Sequence, residues 1–288
     1  MKLIVDSGST KTAWRVQLSP VMCFDIFTAG INPVRDDEAS MYQVIEEASS
    51  RIGSELVLGR ASSLASGTTF SHVHFYGAGC LPNFTAPLIR LLQQAFPSAI
   101  VEVESDLLGA ARALCGREEG IACILGTGAN SCLYDGQRIV RQTPALGWIL
   151  GDEGSGAVLG LRLVGDVLKG QLPQALCEAF LQRFGLMQAD IIEHVYRQPQ
   201  PNRFLASLVP FLAEHTECPA IHAFLVDEFR RFVHRNVVAY GRRDLPVSFV
   251  GGVASQFCGE LQEAVEAEGF GLGRIEKNPI ERMAEYHA

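Results

Sequence analysis

Apolar and polar positions alternate in short runs, broken by Gly, Ser, Asp and Pro turns and interleaved with stretches of helical spacing. Residues 3–6 form a brief apolar run that closes in Asp6-Ser7-Gly8-Ser9-Thr10-Lys11-Thr12. Alternation resumes over 13–18 and, after a Ser19-Pro20 turn, over 21–27. This predicts a three-strand meander with a polar hairpin between its first two strands. Met41, Val44, Ile45, Ala48 and Ile52 recur at helical spacing over 36–52, with acids near the start that suit the helix dipole. A strand at 73–76 ends in Gly77-Ala78-Gly79, and a helix over 85–96 stops at Pro97. A strand at 99–103 and a helix at 106–114 follow.

The plan then restarts. Ile121-Ala122-Cys123-Ile124-Leu125 reads as a buried strand ending in Gly126-Thr127-Gly128-Ala129-Asn130. A strand at 131–134, an Asp135-Gly136 hairpin signal and a strand at 138–141 complete a second meander. The Gly8 and Gly128 turns lie roughly 120 residues apart, which points to two copies of one unit rather than a short-period repeat. A helical block is expected over about 154–243. After it come a strand at 247–250 closing in Gly251-Gly252, a helix to Glu268, and a short terminal helix over 279–286 with Pro at its first turn.

With 288 residues, 48% of them hydrophobic and 19% charged, the chain has ample material for packed cores. The net charge is −8, opposite in sign to a nucleic-acid coat protein or a polybasic membrane binder. No nucleic-acid or membrane partner is therefore expected. Any polyanion must be met by local dipoles, a metal or a few placed cations. The first apolar run is too short for a signal peptide, and the charge-free stretch 61–89 is rich in Ser, Thr, Gly, His and Pro rather than membrane-like. None of the 8 Cys forms a C-x-x-C pair, so a zinc ribbon, a redox pair and a disulfide scaffold are poorly supported, and a cytoplasmic protein is expected.

Two glycine-bearing turns carry the first candidate chemistry. Asp6 to Thr12 offers small residues, hydroxyls and one Lys after a strand ending in Asp, so Gly8, Ser9, Thr10, Lys11 and Thr12 are candidates to hold phosphates. Asp6 is the natural magnesium partner, through water. Gly126, Thr127 and Gly128 repeat that chemistry in the second copy. No G-x-x-x-x-G-K-[ST] loop occurs, and Gly154-Ser155-Gly156 with Gly160 is one residue too long for a dinucleotide fingerprint. Asp106, where a strand gives way to a helix, reads either as an N-cap or as a general base at a strand end, with Glu104 competing for either role. Asp152 and Glu153 sit among glycines just before a helix, suited either to its dipole or to gripping sugar hydroxyls. Gly251-Gly252-Val253-Ala254 is a strand-to-helix turn on which a flat base could lie. His72 and His74 share one strand face without an evident third ligand, which favours a structural role.

Taken in order, Asp6–Thr12, Gly126–Asn130 and Gly251–Ala254 resemble the phosphate-1, phosphate-2 and adenosine motifs of the actin–hexokinase–Hsp70 ATPase superfamily. Within it, Gly30-Ile31-Asn32-Pro33, Glu104-Ser105-Asp106 and the run from Gly147-Trp148 to Gly156 resemble the N-acetylglucosamine kinase-like and BadF/BadG/BcrA/BcrD ATPase group. The resemblance spans essentially the whole chain. It implies an α/β fold of two duplicated ribonuclease-H-like, actin-like ATPase domains with an interdomain cleft. The boundaries expected are 1–116 on the sugar side and 117–277 with its helical insert on the nucleotide side, the helix at 278–288 being able to pack back on the first. It implies ATP and Mg2+ as cofactors, with Thr10, Lys11, Thr12 and Thr127 along the phosphates and Gly251 and Gly252 near the adenosine. Asn32, Asp106 and Asp152 would touch the sugar, with Asp106 as base and Ala129, Asn130, Gly147 and Glu153 in the same substrate set. Family relatives are commonly dimers, so a homodimer is expected.

The activity implied is phosphorylation of a hydroxyl, expected at C6, of an amino sugar such as N-acetylglucosamine or glucosamine. No aromatic follows Asn32 closely to pack an N-acetyl group, which leaves the acetamido preference open. Two alternatives stay beside this one. An ATPase that activates a partner enzyme would need cluster-ligating cysteines, for which Cys115, Cys123 and Cys132 are the nearest grouping, without ferredoxin-like spacing. A sugar-sensing module on the same fold would not need the Asp6, Asp106 and Thr127 set.

Overall fold

In a computed structural model, residues 1–8, 10–19, 22–57 and 69–288 are described. Ser9, the Pro20-Val21 step of the second turn and residues 58–68 of the charge-free stretch lie outside them. The described chain divides into two compact units, Met1–Gly116 with Pro279–Ala288, and Arg117–Asn278.

The first unit is built on a five-stranded sheet of order β3-β2-β1-β4-β5. Its strands are β1 (Lys2–Ser7), β2 (Lys11–Ser19), β3 (Met22–Ala29), β4 (His72–Gly77) and β5 (Ile100–Ser105). The first three are antiparallel, and β4 and β5 run parallel to β1. Central β1 is covered on both faces, which explains its unbroken apolar run: Leu3, Ile4 and Val5 are all 0% exposed. Leu3 and Val5 join Trp14, Val16 and Phe75 against helices α1 (Glu38–Val57) and α2 (Thr85–Ala95), which supply Met41, Ile45, Leu88 and Leu92. The alternate residue, Ile4, points to the other face, where α3 (Asp106–Cys115) and a terminal helix over Ile280–Tyr286 contribute Ala113, Ile280, Met283 and Ala284. Trp14 satisfies its indole N–H on Thr28 Oγ1 at 2.8 Å, so its burial leaves no orphaned donor.

The second unit repeats the topology. Its sheet has the order β10-β9-β6-β7-β8, formed by β6 (Glu119–Leu125), β7 (Ala129–Asp135), β8 (Ile139–Gln142), β9 (Val247–Val250) and β10 (Leu272–Glu276). The helical block consists of α4 (Gly147–Leu150), α5 (Gly156–Leu168), α6 (Gln174–Phe184), α7 (Gln188–Tyr196), α8 (Pro201–Ser207), α9 (Pro210–Ala213) and α10 (Pro219–Phe232). A π-helical turn at Val233–Val237 and a short 3-10 turn at Val238–Tyr240 close it. α11 (Gly252–Gln256), α12 (Cys258–Ala267) and α13 (Ile280–Tyr286) complete the chain. Ile221, Phe224, Leu225, Phe229 and Phe232 of α10 pack at helical spacing against Ile121 and Cys123 of β6 and Phe249 of β9.

Two differences from the sequence expectation have physical causes. The sequence pattern does not announce β10, because a register shift between Leu272 and Ile275 breaks the alternation that marks a strand. The single helix expected up to Glu268 is two, broken at Phe257, which is fully buried in the core. Among the described residues, no helix is long and apolar enough to cross a membrane.

Candidate active site

In the first unit, parallel pairing aligns the carboxyl ends of three strands. Asp6 lies level with Tyr76 and Glu104, and Ser7 level with Gly77 and Ser105. Ligands of open α/β sheets bind at that edge. There the β1–β2 hairpin closes with Gly8 N–H donating to Lys11 C=O at 3.0 Å. Thr10 and Lys11 are exposed at its tip, and the Lys11 ammonium lies 3.7 Å from the Phe27 ring centroid. Thr12 faces inward. It is fully buried, and its hydroxyl donates to Ala29 C=O at 2.8 Å and meets Ser7 Oγ at 2.8 Å. Ser7 Oγ also accepts from Ile31 N at 2.9 Å, so these two hydroxyls brace the hairpin against the segment that leads to Asn32.

Asn32 is held in turn. Its Oδ1 accepts from Val34 N at 3.0 Å and its N–H donates to Asp36 Oδ2 at 2.8 Å. Its amide presses on Gly79, whose φ of 77° and lack of a Cβ both matter, because a side chain there would overlap Asn32 Oδ1. The sequence marked Gly79 only as part of a turn.

Asp106 is not the cap of its helix. Ser105 is, accepting from Leu108 N at 3.2 Å. Asp106 takes the first helical position, where Oδ1 accepts from Leu107 N at 2.8 Å. Burial pushes its pKa up to about 6, against the pull of the Leu107 N–H and its own N–H. Glu104, by contrast, is exposed on β5. Burial likewise lifts Asp6, to about 7, with the charge of Asp106 adding to the rise and Lys11 opposing it. Cys80 is nearby, its thiol pushed up to about 12 by burial and the Asp106 and Glu104 charges, so it stays protonated.

In the second unit, the turn after β6 and the acidic Gly-rich run form one construction. Gly126 C=O accepts from Gly156 N at 2.8 Å and Thr127 C=O from Ala157 N at 3.1 Å, so the start of α5 holds the turn. Ser155 caps that helix on Val158 N at 3.2 Å. Asp152 accepts from the Ala129 N–H and lies against Gly128. Its pKa is pushed up to about 6 by burial, with the Ala129 N–H lowering it and the Glu153 charge raising it. Asn130 Oδ1 accepts from Ser131 N at 2.9 Å and from Gln142 Nε2 at 3.2 Å. Gly147 opens α4 at φ 73°. Ala129, Asn130, Asp152 and Glu153 line a cavity of about 510 Å³. Sequence-distant Arg235 and Asn236 line it too.

At the end of β9, Gly251 has φ 130°, and a Cβ on it would strike Leu125 C=O, so the β9 turn crosses tightly over the end of β6. Gly252 faces open space. Cys123 and Cys132, the cluster-ligand candidates in this unit, are 0% exposed inside β6 and β7. Among the described residues, no group of three or more His, Cys, Asp or Glu is arranged to hold a metal on its own.

No family model matches the chain. It is 46% identical to a Porphyromonas gingivalis protein provisionally named an N-acetylglucosamine kinase, covering 100% of this chain and 98% of that one with a TM-score of 0.90. A similarly named Chromobacterium violaceum protein shares the fold at 20% identity, with 100% and 98% of the two chains covered and a TM-score of 0.73. The glucosamine kinase of Vibrio cholerae serotype O1 is 38% identical over 101 residues, 32% of this chain and 33% of that protein, so the match spans about a third of the curated relative. With full-length likeness at this identity, two sheets of one topology and the ordered turns on them, the chain belongs to the N-acetylglucosamine kinase-like family on the actin-like ATPase fold.

Proposed function

We propose that this protein is an ATP-dependent amino-sugar kinase that transfers a phosphoryl group to a hydroxyl, at C6, of glucosamine or N-acetylglucosamine. The observation that carries the reading is Asp106. It is a carboxylate at the carboxyl edge of the sheet, spared from capping duty by Ser105 and raised to about 6 by burial. Such a group is ionised at neutral pH yet basic enough to take a proton from an attacking hydroxyl, a role that contributes about 10²–10⁴-fold in rate. The names of the relatives agree with this class of reaction.

Phosphoryl transfer asks mainly for alignment and charge neutralisation. Asn32 and Asp152 orient the sugar by its hydroxyls, with Ala129, Asn130, Gly147 and Glu153 shaping that side. Thr10 and Lys11 on the first hairpin and Thr127 on the second lie along the phosphates, with Gly8, Gly126 and Gly128 letting the backbone come close. Thr12 acts from inside, bracing the first hairpin. Gly252 leaves room for the adenosine, with Gly251 fixing the turn that carries it.

Magnesium fits the residues present. Burial and the Asp106 charge make an ionised Asp6 unfavourable by itself, and a cation beside it would hold it ionised. Magnesium keeps most of its waters and leans on substrate phosphates, so one carboxylate is enough of a protein ligand there. Bound there through water, it would neutralise charge on the β- and γ-phosphates. A homodimer in the cytoplasm belongs to the same reading.

The test is a coupled ADP-release assay with magnesium ATP over glucosamine, N-acetylglucosamine, glucose and N-acetylmuramic acid. Turnover dependent on an amino sugar is expected, with the product phosphorylated at C6 by NMR. ADP release that no sugar stimulates would overturn the reading.

A further inference from the structure

Asp152 is one of two non-glycine residues with positive φ among those described, at 54°. Left-handed backbone at such a residue costs about 1–2 kcal/mol and persists only where the surroundings impose it. Next to it, Glu153 is 7% exposed, a buried carboxylate that needs partners. Both of its partners come from the π-helical turn at the end of α10. Arg235 Nε pairs with Oε1, and Asn236 Nδ2 donates to Oε2 at 3.2 Å. A π-turn adds a residue to the helical repeat, which shifts the register of the side chains that follow α10.

The same turn grips two more parts of the site. Asn236 C=O accepts from Ser131 Oγ at 3.1 Å and from Thr143 Oγ1 at 2.8 Å. Ser131 follows Asn130, and Thr143 begins the segment that leads to α4. The Tyr240 hydroxyl ties those two residues again, meeting Ser131 Oγ at 2.7 Å and accepting from Thr143 N at 3.0 Å.

We propose that Arg235 and Asn236 are positioning residues for the phosphoryl acceptor: by holding the Glu153 carboxylate they keep Asp152 in its left-handed pose, aimed at the sugar. The inference rests on the kinase reading for the identity of the ligand, and on the geometry alone for the coupling. Without these partners, the Glu153 charge has no compensation inside the unit and turns outward, and the 151–154 segment relaxes with it. Asp152 also touches Gly128 of the phosphate turn, but that turn is held separately by Gly156 N–H and Ala157 N–H of α5, so the loss falls first on the sugar.

The experiment compares wild type with Arg235→Met, Asn236→Ala and Arg235→Lys. Steady-state kinetics are measured against amino sugar and ATP, together with hydrogen exchange of the peptide covering 147–157. Arg235 is largely exposed, so its variants should fold, and melting temperatures check this. Arg235→Met and Asn236→Ala are expected to raise the amino-sugar KM about tenfold with the ATP KM within twofold, and to speed exchange in 147–157. Arg235→Lys should restore most of both. Unchanged exchange in 147–157, or a sugar KM within twofold of wild type, would overturn the proposal. So would equal rises in both KM values, which mark general loosening. If wild type phosphorylates no sugar, the kinase reading falls, and the exchange comparison alone decides the coupling.

Discussion

Asp6 on β1 and Asp106 at the head of α3 are electrostatic neighbours. Burial lifts the pKa of Asp6, and the charge of Asp106 lifts it further, to about 7, while Lys11 pulls the other way. Two carboxylates at one strand edge thus titrate near neutrality, where a base and a cation-binding group are both useful.

The first consequence concerns rate. Asp106→Asn should keep the fold and bring the ATP KM to within a few-fold of wild type, while sugar-dependent turnover falls by about 10²–10⁴-fold or more. In wild type the base must be deprotonated, so kcat/KM for the sugar should fall about tenfold per pH unit below about 6 and level off above it. A pH–rate profile by ADP release checks both. A profile that is flat from pH 5 to 8 would remove Asp106 from this role.

The second concerns stability. Asp6 binds its proton more tightly folded, with a pKa of about 7 against a reference of 3.8, so between those values the folded state holds more proton than the unfolded one. Stability from this group is therefore full below pH 4 and drains away as pH rises to 7. Asp6→Asn escapes the penalty. It should be more stable than wild type by about 2 kcal/mol at pH 8, with little difference at pH 4, and should lose magnesium-dependent turnover. Denaturant unfolding without nucleotide at the two pH values measures it.

The third separates two adjacent glycines. Gly251→Ala drives a Cβ into Leu125 C=O at a φ that side chains avoid, and should cost about 2 kcal/mol or more. Gly252→Ala meets nothing within 4 Å at the start of α11, so the fold should tolerate it. Its effect should appear as an ATP KM raised about tenfold. Melting curves and ATP titrations of the pair test the division between structure and ligand.

The fourth concerns the terminal helix. Met283 is 1% exposed in a cluster with Ile4 and Tyr76, so Met283→Ala should cost about 2–5 kcal/mol. Exposed Glu281→Ala, two residues away on another side of the helix, should change stability by less than about 1 kcal/mol despite its contact with Arg15. Urea unfolding curves of the two variants provide the comparison.

Local chemistry explains what could be read from the chain. Meander strands announce themselves by alternation, the Gly8 and Gly128 turns by their small residues, and Asp152 by the glycines around it. The sequence did not decide whether Asp106 capped its helix, because Ser105 beside it is an equally good cap and only geometry chooses. Thr12 read as one more phosphate hydroxyl, since a single sequence does not reveal that Ala29 and Ser7 would claim it. Arg235 and Asn236 gave no signal at all. They meet Glu153 across 82 and 83 residues, through a helical turn whose extra residue leaves no mark in apolar spacing.

Residues 117–278 are continuous, whereas the face of the first sheet that carries Ile4 and Tyr76 is only partly covered by α3 until 279–288 arrive. During synthesis the first unit therefore cannot complete its core until α13 has been made, although most of its chain is made first. The nascent amino-terminal portion waits on the ribosome with a greasy seam partly open to chaperones, and the half that carries Asp106 is not finished when its own sheet has been made.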